Sequence, residues 1–265
     1  MTYINMTWKI KKFVKIEPKL RNPILIEGLP GIGNVGKVVA DFMAEELKAV
    51  KYCEFLSYDL PNSVFVNEKN LVELPRIELY YVQLKGKKND LLILLGDIQP
   101  LKESSSYEFC ETVLNLAVDF GCKEIITLGG IGLGSIPEEP AVYITGNSKQ
   151  IVEKYKSGTN ANSKIFGIVG PILGVTGLMT GLASNYKINA ACMLAETLNH
   201  PMFLGIRGSQ KIIEILNKKL GTKVNTKKLD QEIEEAEKMM VRTEDLVQAA
   251  GKMIEGENNK TRYIG

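Results

Sequence analysis

Short apolar runs alternate along this chain with stretches whose apolar residues recur every three or four positions. The first run, Ile24-Leu25-Ile26, reads as a buried strand and stops at Gly28 and Pro30. Gly31, Gly33 and Gly36 then spell G-x-G-x-x-G, and Val38 to Leu47 follows with apolar residues at helical spacing. A strand, a glycine turn and a helix in that order let backbone approach a ligand and aim free N–H groups above the helix start. The same glycines also suit nothing more than a tight turn and close packing. Val50 to Tyr58 reads as the next strand. Val64-Phe65-Val66 and Leu71-Val72-Glu73-Leu74 read as short strands, and Ile77 to Val82 alternates like another. This middle region is therefore antiparallel in character, or an inserted β ribbon.

The later pattern is more regular. Asp90 to Asp97 reads as a second buried strand. Ser104-Ser105-Ser106 caps a predicted helix from Tyr107 to Phe120, and Gly121 ends it. Glu124 to Leu128 is a strand running into Gly129-Gly130-Ile131-Gly132-Leu133-Gly134. Ala141 to Gly146 predicts a strand, Ser148 to Tyr155 a short helix, and Ile165 to Val169 a strand turned by Gly170-Pro171. A helix starts from Gly174. Ala190 to Glu196 is buried, strand or helix by periodicity alone, and Arg207 to Leu220 is a helix closed by Gly221. Strands alternating with helices predict an α/β fold, a mainly parallel sheet covered on both faces. Gly28, Gly96, Gly129 and Gly170 would then end strands along one edge, where α/β proteins place their sites.

After Gly221 the composition changes. Leu229, Ile233, Ala236, Met240, Thr243, Val247, Ala250 and Ile254 form a heptad seam with one polar member, Thr243. So narrow a stripe packs against one other helix, which predicts a role in oligomer formation. The expected organisation is an α/β domain over residues 1–221 and a helical heptad extension with a flexible tail over residues 222–265.

Composition narrows the function classes. Lys+Arg 33 against Asp+Glu 31 leaves a net charge of +2, which does not predict a nucleic-acid surface. Cys53, Cys110, Cys122 and Cys192 lie far apart with no C-x-x-C pair, so reduced thiols in the cytoplasm are expected and zinc is not. Ile165 to Ala183 carries no charge, but its glycines and Pro171 argue against a membrane span. Met1 to Lys19 has no continuous apolar core and predicts no signal peptide. His200 is the single histidine, so no multi-histidine metal site is expected. A dyad of His200 with Cys192 or Ser209 has no support beyond residue type. Glu27 and Asp97 stand at strand ends, where an acid serves a ligand or caps backbone amides. A dinucleotide fold wants an acid at the end of the next strand. Glu54 comes too early for that and Asp59 too late. The P-loop reading fails because Val38, not Ser or Thr, follows Gly36-Lys37.

Taken together, three ordered glycine motifs resemble the PAC2-type proteasome assembly chaperone family in its archaeal branch. They are Gly28-Leu29-Pro30-Gly31-Ile32-Gly33-Asn34-Val35-Gly36, then Gly129-Gly130-Ile131-Gly132, then Gly170 to Leu178 with Gly181-Leu182-Ala183. The resemblance covers about residues 20 to 220. It implies a fold like the purine nucleoside phosphorylases with no established catalytic activity, homo-oligomers and, for some members, binding to 20S proteasome α subunits; no cofactor is expected, and the expected partners are proteasome subunits or a partner assembly chaperone. Members commonly end in a hydrophobic residue, tyrosine and any residue. This chain instead ends Arg262-Tyr263-Ile264-Gly265, so its candidate partner-binding tail, Tyr263, Ile264 and Gly265, departs from that pattern. The favoured reading is a non-enzymatic homo-oligomeric scaffold. The alternative is a nucleotide- or phosphate-binding α/β enzyme whose ligand loop comprises Gly31, Gly33, Asn34, Gly36, Gly130, Gly132 and Gly174.

Overall fold

The computed structural model describes residues 7–200 and 203–230. The chain divides after Thr226 into two units, and the architecture below is that of the first. In chain order its elements are β1 (Lys9–Lys12), β2 (Ile24–Gly28), a 3-10 turn (Ile32–Asn34), α1 (Val35–Glu46), β3 (Val50–Leu56), β4 (Phe65–Val66), β5 (Val72–Glu73), β6 (Ile77–Val82), β7 (Leu91–Gly96), α2 (Glu103–Asp119), β8 (Glu124–Leu133), β9 (Val142–Gly146), α3 (Lys149–Lys156), α4 (Gly174–Leu182), a second 3-10 turn (Ala183–Tyr186), β10 (Asn189–Leu198) and α5 (Ile206–Leu220).

Eight strands form one sheet in the order β1-β3-β6-β7-β2-β8-β10-β9. The sheet is mixed rather than uniformly parallel. β7, β2, β8 and β10 run parallel at its centre, while β1, β3 and β6 on one flank and β9 on the other pair antiparallel. The central strands are apolar on both faces because helices cover both, as their near-continuous Ile, Leu, Val and Ala runs require. α1 and α5 pack on one face, and Lys219 of α5 donates to the Lys154 carbonyl at 2.5 Å, which places α3 beside them. α2 and α4 pack on the other. That second face holds the aromatic core: the Trp8 and Phe109 rings lie 4.6 Å apart, and Trp8 Nε1 donates to the Ser105 carbonyl at 3.1 Å.

Several local expectations change. Ile165 to Val169 is not a strand: Ile168 and Val169 both donate back to the Ile165 carbonyl, Gly167 has φ 80°, and Phe166 is fully exposed. The place beside β8 that such a strand would fill belongs to β10, which also settles Ala190 to Glu196 as strand. Gly129 does not end a strand, since β8 continues to Leu133 in register with β10. Nor do Ser104 to Ser106 cap α2. They lie inside its first turns, behind Lys102, and the Ser106 hydroxyl donates to the Lys102 carbonyl at 3.1 Å. Of the apolar residues near the start, Trp8 is buried, whereas Ile10, Phe13 and Ile16 face solvent. The middle region carries both features foreseen for it: β6 is antiparallel in the sheet, and β4 with β5 is a separate ribbon.

Candidate functional site

The C-terminal ends of β2, β7, β8 and β10 share one edge of the sheet, and the glycine segments meet there. At Gly28, Gly33, Gly36, Gly130, Gly132 and Gly174 the space a side chain would need is already filled by protein. A methyl on Gly28 would sit 2.2 Å from the Gly36 carbonyl oxygen, and one on Gly36 would sit 2.5 Å from the Leu128 oxygen. These two glycines let α1 lie directly on β2 and β8. Gly33, at φ 59°, rests on Thr197 of β10, and a methyl on Gly130 would meet the Ile32 oxygen at 2.2 Å. A methyl on Gly132 would press on Asn199 at 2.8 Å. Gly174, at φ 76°, faces Gln99. That glutamine donates to the Pro30 carbonyl and accepts from the Val175 amide at 2.9 Å, so it ties the first glycine loop to the start of α4. Asn34 takes the left-handed φ of 50° that opens α1, and its side chain makes no cap. At Gly31 an added methyl would meet only the Gln99 side chain, at 4.0 Å, and at Gly134 nothing lies within 4 Å.

The dinucleotide reading also loses its topology. That motif needs the strand after α1 to lie beside β2, but β3 is separated from β2 by β6 and β7. Lys37 does not reach over the loop. Its ammonium donates to the Gly96 carbonyl at 3.0 Å and lies 3.0 Å from Asp41 and 3.5 Å from Asp97.

Both strand-end acids cap backbone. Asp97 accepts from the Arg76 amide at 3.1 Å, and Glu27 from the Leu29 amide at 3.0 Å. Glu27 is completely buried, with Thr176 of α4 3.4 Å from its bonded oxygen and no partner for the other. Burial pushes its carboxyl up to about 7, against the hydrogen bonds that favour the ion. The Ser209 hydroxyl donates to the Val35 and Gly205 carbonyls, and burial pushes the Cys192 thiol up to about 12. Neither is an activated nucleophile for His200.

The loops at this edge expose several large apolar side chains. Ile32, Tyr58, Leu101, Ile136, Phe166, Leu173 and Leu204 all stand in the loops around it, and the β4–β5 ribbon adds Phe65, Val66 and Val72. Gln99, Thr197 and the exposure of the ribbon were not foreseen. The two polar residues carry no motif, and a strand pattern does not tell whether anything covers it.

The PAC2 family model matches residues 25–244. The chain belongs to the PAC2 family. An uncharacterized protein of Methanocaldococcus jannaschii is 29% identical over 260 residues, 96% of each chain. Among solved structures, the Pyrococcus furiosus protein PbaB, described as an archaeal proteasome activator, superposes with a TM-score of 0.81 at 29% identity, over 90% of this chain and 99% of that one. PbaA of the same organism, an archaeal homolog of proteasome-assembly chaperone, gives a TM-score of 0.72 at 25% identity, over 96% and 99%. In this PAC2 chain Gly28 and Gly36 pack α1 against the sheet, and Gly174 packs on Gln99 at the start of α4. Of the predicted heptad seam, Leu229 lies in a helical turn at 227–230, while Ile233, Ala236, Met240, Val247, Ala250 and Ile254 lie outside the described residues. So do the tail residues Tyr263, Ile264 and Gly265. Among the described residues no helix is long and apolar enough to cross a membrane, and no cluster of potential metal ligands occurs.

Proposed function

We propose that this PAC2 protein is a non-catalytic, homo-oligomeric scaffold that binds proteasome subunits or a partner assembly chaperone. The observation that carries the reading is the match to PbaB and PbaA over nearly the whole of each chain. The apolar side chains exposed at the C-terminal edge support it, because a chaperone for protein subunits needs a broad face rather than a ligand cleft. The filled glycine positions point the same way.

Native mass spectrometry of the purified protein, alone and mixed with 20S α subunits, tests it. The expected result is a homo-oligomer that captures α subunits. An oligomer that carries co-purified nucleotide and captures nothing would overturn the scaffold in favour of the ligand loop. A second expectation concerns the seam. Removing residues 227–265 lowers the oligomer mass in light scattering if the heptads pair between chains, and an unchanged mass assigns the seam to a single chain.

A further inference from the structure

A row of polar side chains crosses the sheet beneath α4. Glu27 of β2 is paired with Thr127 of β8, and Thr127 with Cys192 of β10, so all three project to the same face. Each is completely buried, in a layer otherwise built from residues such as Leu25, Ile125 and Met179. α4 covers the row with Thr176 and Thr180, one turn apart. The Thr176 hydroxyl lies 3.3 Å from the Leu128 carbonyl and 3.4 Å from Glu27 Oε1. The Thr180 hydroxyl donates to the Thr176 carbonyl at 2.8 Å, so in the 2.7 Å bond between Thr127 and Thr180 the proton comes from Thr127. Neither of these two hydroxyl protons is left for Glu27 Oε2, which has no partner. The titratable groups that face Glu27 are Cys110 of α2 and Cys192 of β10, thiols that burial keeps neutral near pH 7. α4 carries no charged residue, and β7 and β8 place Leu94 and Thr127 beside Glu27. An ionised Glu27 would therefore be a buried charge served mainly by the Leu29 amide.

Of the elements around Glu27, α4 is the one that can move with least loss. It has nine residues and opens at Gly174, whose φ is 76°. Residues 157–173 before it hold no helix and no strand of the sheet, and expose Phe166, Ile168 and Leu173. Its start is tied to the first glycine loop through Gln99, which accepts from the Val175 amide and donates to the Pro30 carbonyl. The strands beside Glu27 are instead held by ladders along their length. We propose that α4 is a pH-dependent flap, which closes over protonated Glu27 and lifts from the polar row when that carboxyl ionises, releasing the Gln99 tie and the apolar loop before the helix. The inference goes beyond the scaffold reading and does not depend on it. Its sign follows from burial, which raises the carboxyl from an ordinary 4.5 to about 7 in the closed form. Closure is complete below the lower value and weakens as the pH rises through about 7.

Hydrogen exchange of the full chain, read by mass spectrometry at pH 5 and pH 7 and corrected for the intrinsic rate, tests the flap. The α4 amides are expected to exchange ahead of those of α5 at both values. Their corrected rate is expected to rise about fortyfold from pH 5 to pH 7, the factor imposed by a carboxyl at 4.5 when open and about 7 when closed. In Glu27→Gln the rise disappears. A second readout needs no substitution. Cys192 lies beneath α4, whereas Cys53 lies on β3, and both are buried. A pyridyl disulfide, with its sites mapped by peptide mass, is expected to reach Cys192 before Cys53, with a wider lead at the higher pH. Exchange of α4 and α5 together, or labelling of the two cysteines together, means that only the whole domain opens, and overturns the flap. So does an α4 rate that stays level between the two pH values, or one that rises equally in Glu27→Gln.

Discussion

Glu27→Gln is expected to remove a pH dependence of folding that lies between about pH 5 and pH 7. The carboxyl is fully buried, one of its oxygens has no partner, and burial raises it from an ordinary 4.5 to about 7. Between those values the folded chain keeps a proton that the unfolded chain has released. Stability is therefore full below the lower value and drains as the pH rises through about 7. The gap is worth about 3 kcal/mol once both states are ionised. Glutamine is neutral throughout and keeps the acceptor for the Leu29 amide, but its NH₂ lacks a partner where the carboxylate oxygen had none, which costs about 1–3 kcal/mol. The variant is thus expected to gain on wild type as the pH rises from 5 to about 7, by about 2–3 kcal/mol, and little beyond that. Urea unfolding of the two proteins across that range measures the difference, and groups common to both cancel. Parallel curves for variant and wild type would show that Glu27 does not titrate in this window.

The second large effect concerns the glycine motif. In Gly28→Ala the new methyl would lie 2.2 Å from the Gly36 oxygen and 2.6 Å from the Ala40 Cβ. Neither backbone nor helix can yield at that distance without lifting α1 from the sheet. A loss of about 3 kcal/mol or more is expected, at the upper end of overpacking effects. Gly31→Ala is the control. Its φ of −156° suits any residue, no atom closer than 4.0 Å is found around the added methyl, and a change within about 0.5 kcal/mol is expected. Equal unfolding midpoints for Gly28→Ala and Gly31→Ala would show that α1 does not rest on Gly28.

These two residues show how far the sequence could be read. Glu27 stood out as an acid at a strand end, and the amide-capping alternative holds: it accepts from Leu29. Its complete burial under α4 could not be read, because the residue that reaches it, Thr176, is far away in the chain. The G-x-G-x-x-G motif was legible as a strand, a turn and a helix, and that order is present. Its purpose was not legible, since the atoms filling the glycine spaces belong to Leu128 and Thr197, on strands placed beside it only by the completed sheet.

The chain by itself determined where most strands and helices lie, since these follow from local periodicity and from glycine stops such as Gly121 and Gly221, both with positive φ. It also carried the family, through three motifs in a fixed order. Tertiary structure alone decided the neighbours. It put β6 and β7 between β3 and β2, gave β10 the place beside β8, filled the space at Gly28, Gly33 and Gly36 with protein, and left Val66 and Val72 of the β4–β5 ribbon exposed. The reason is physical. An apolar run states that a residue is to be buried, but what buries it is set by contacts between segments far apart in the chain, and no local pattern encodes those.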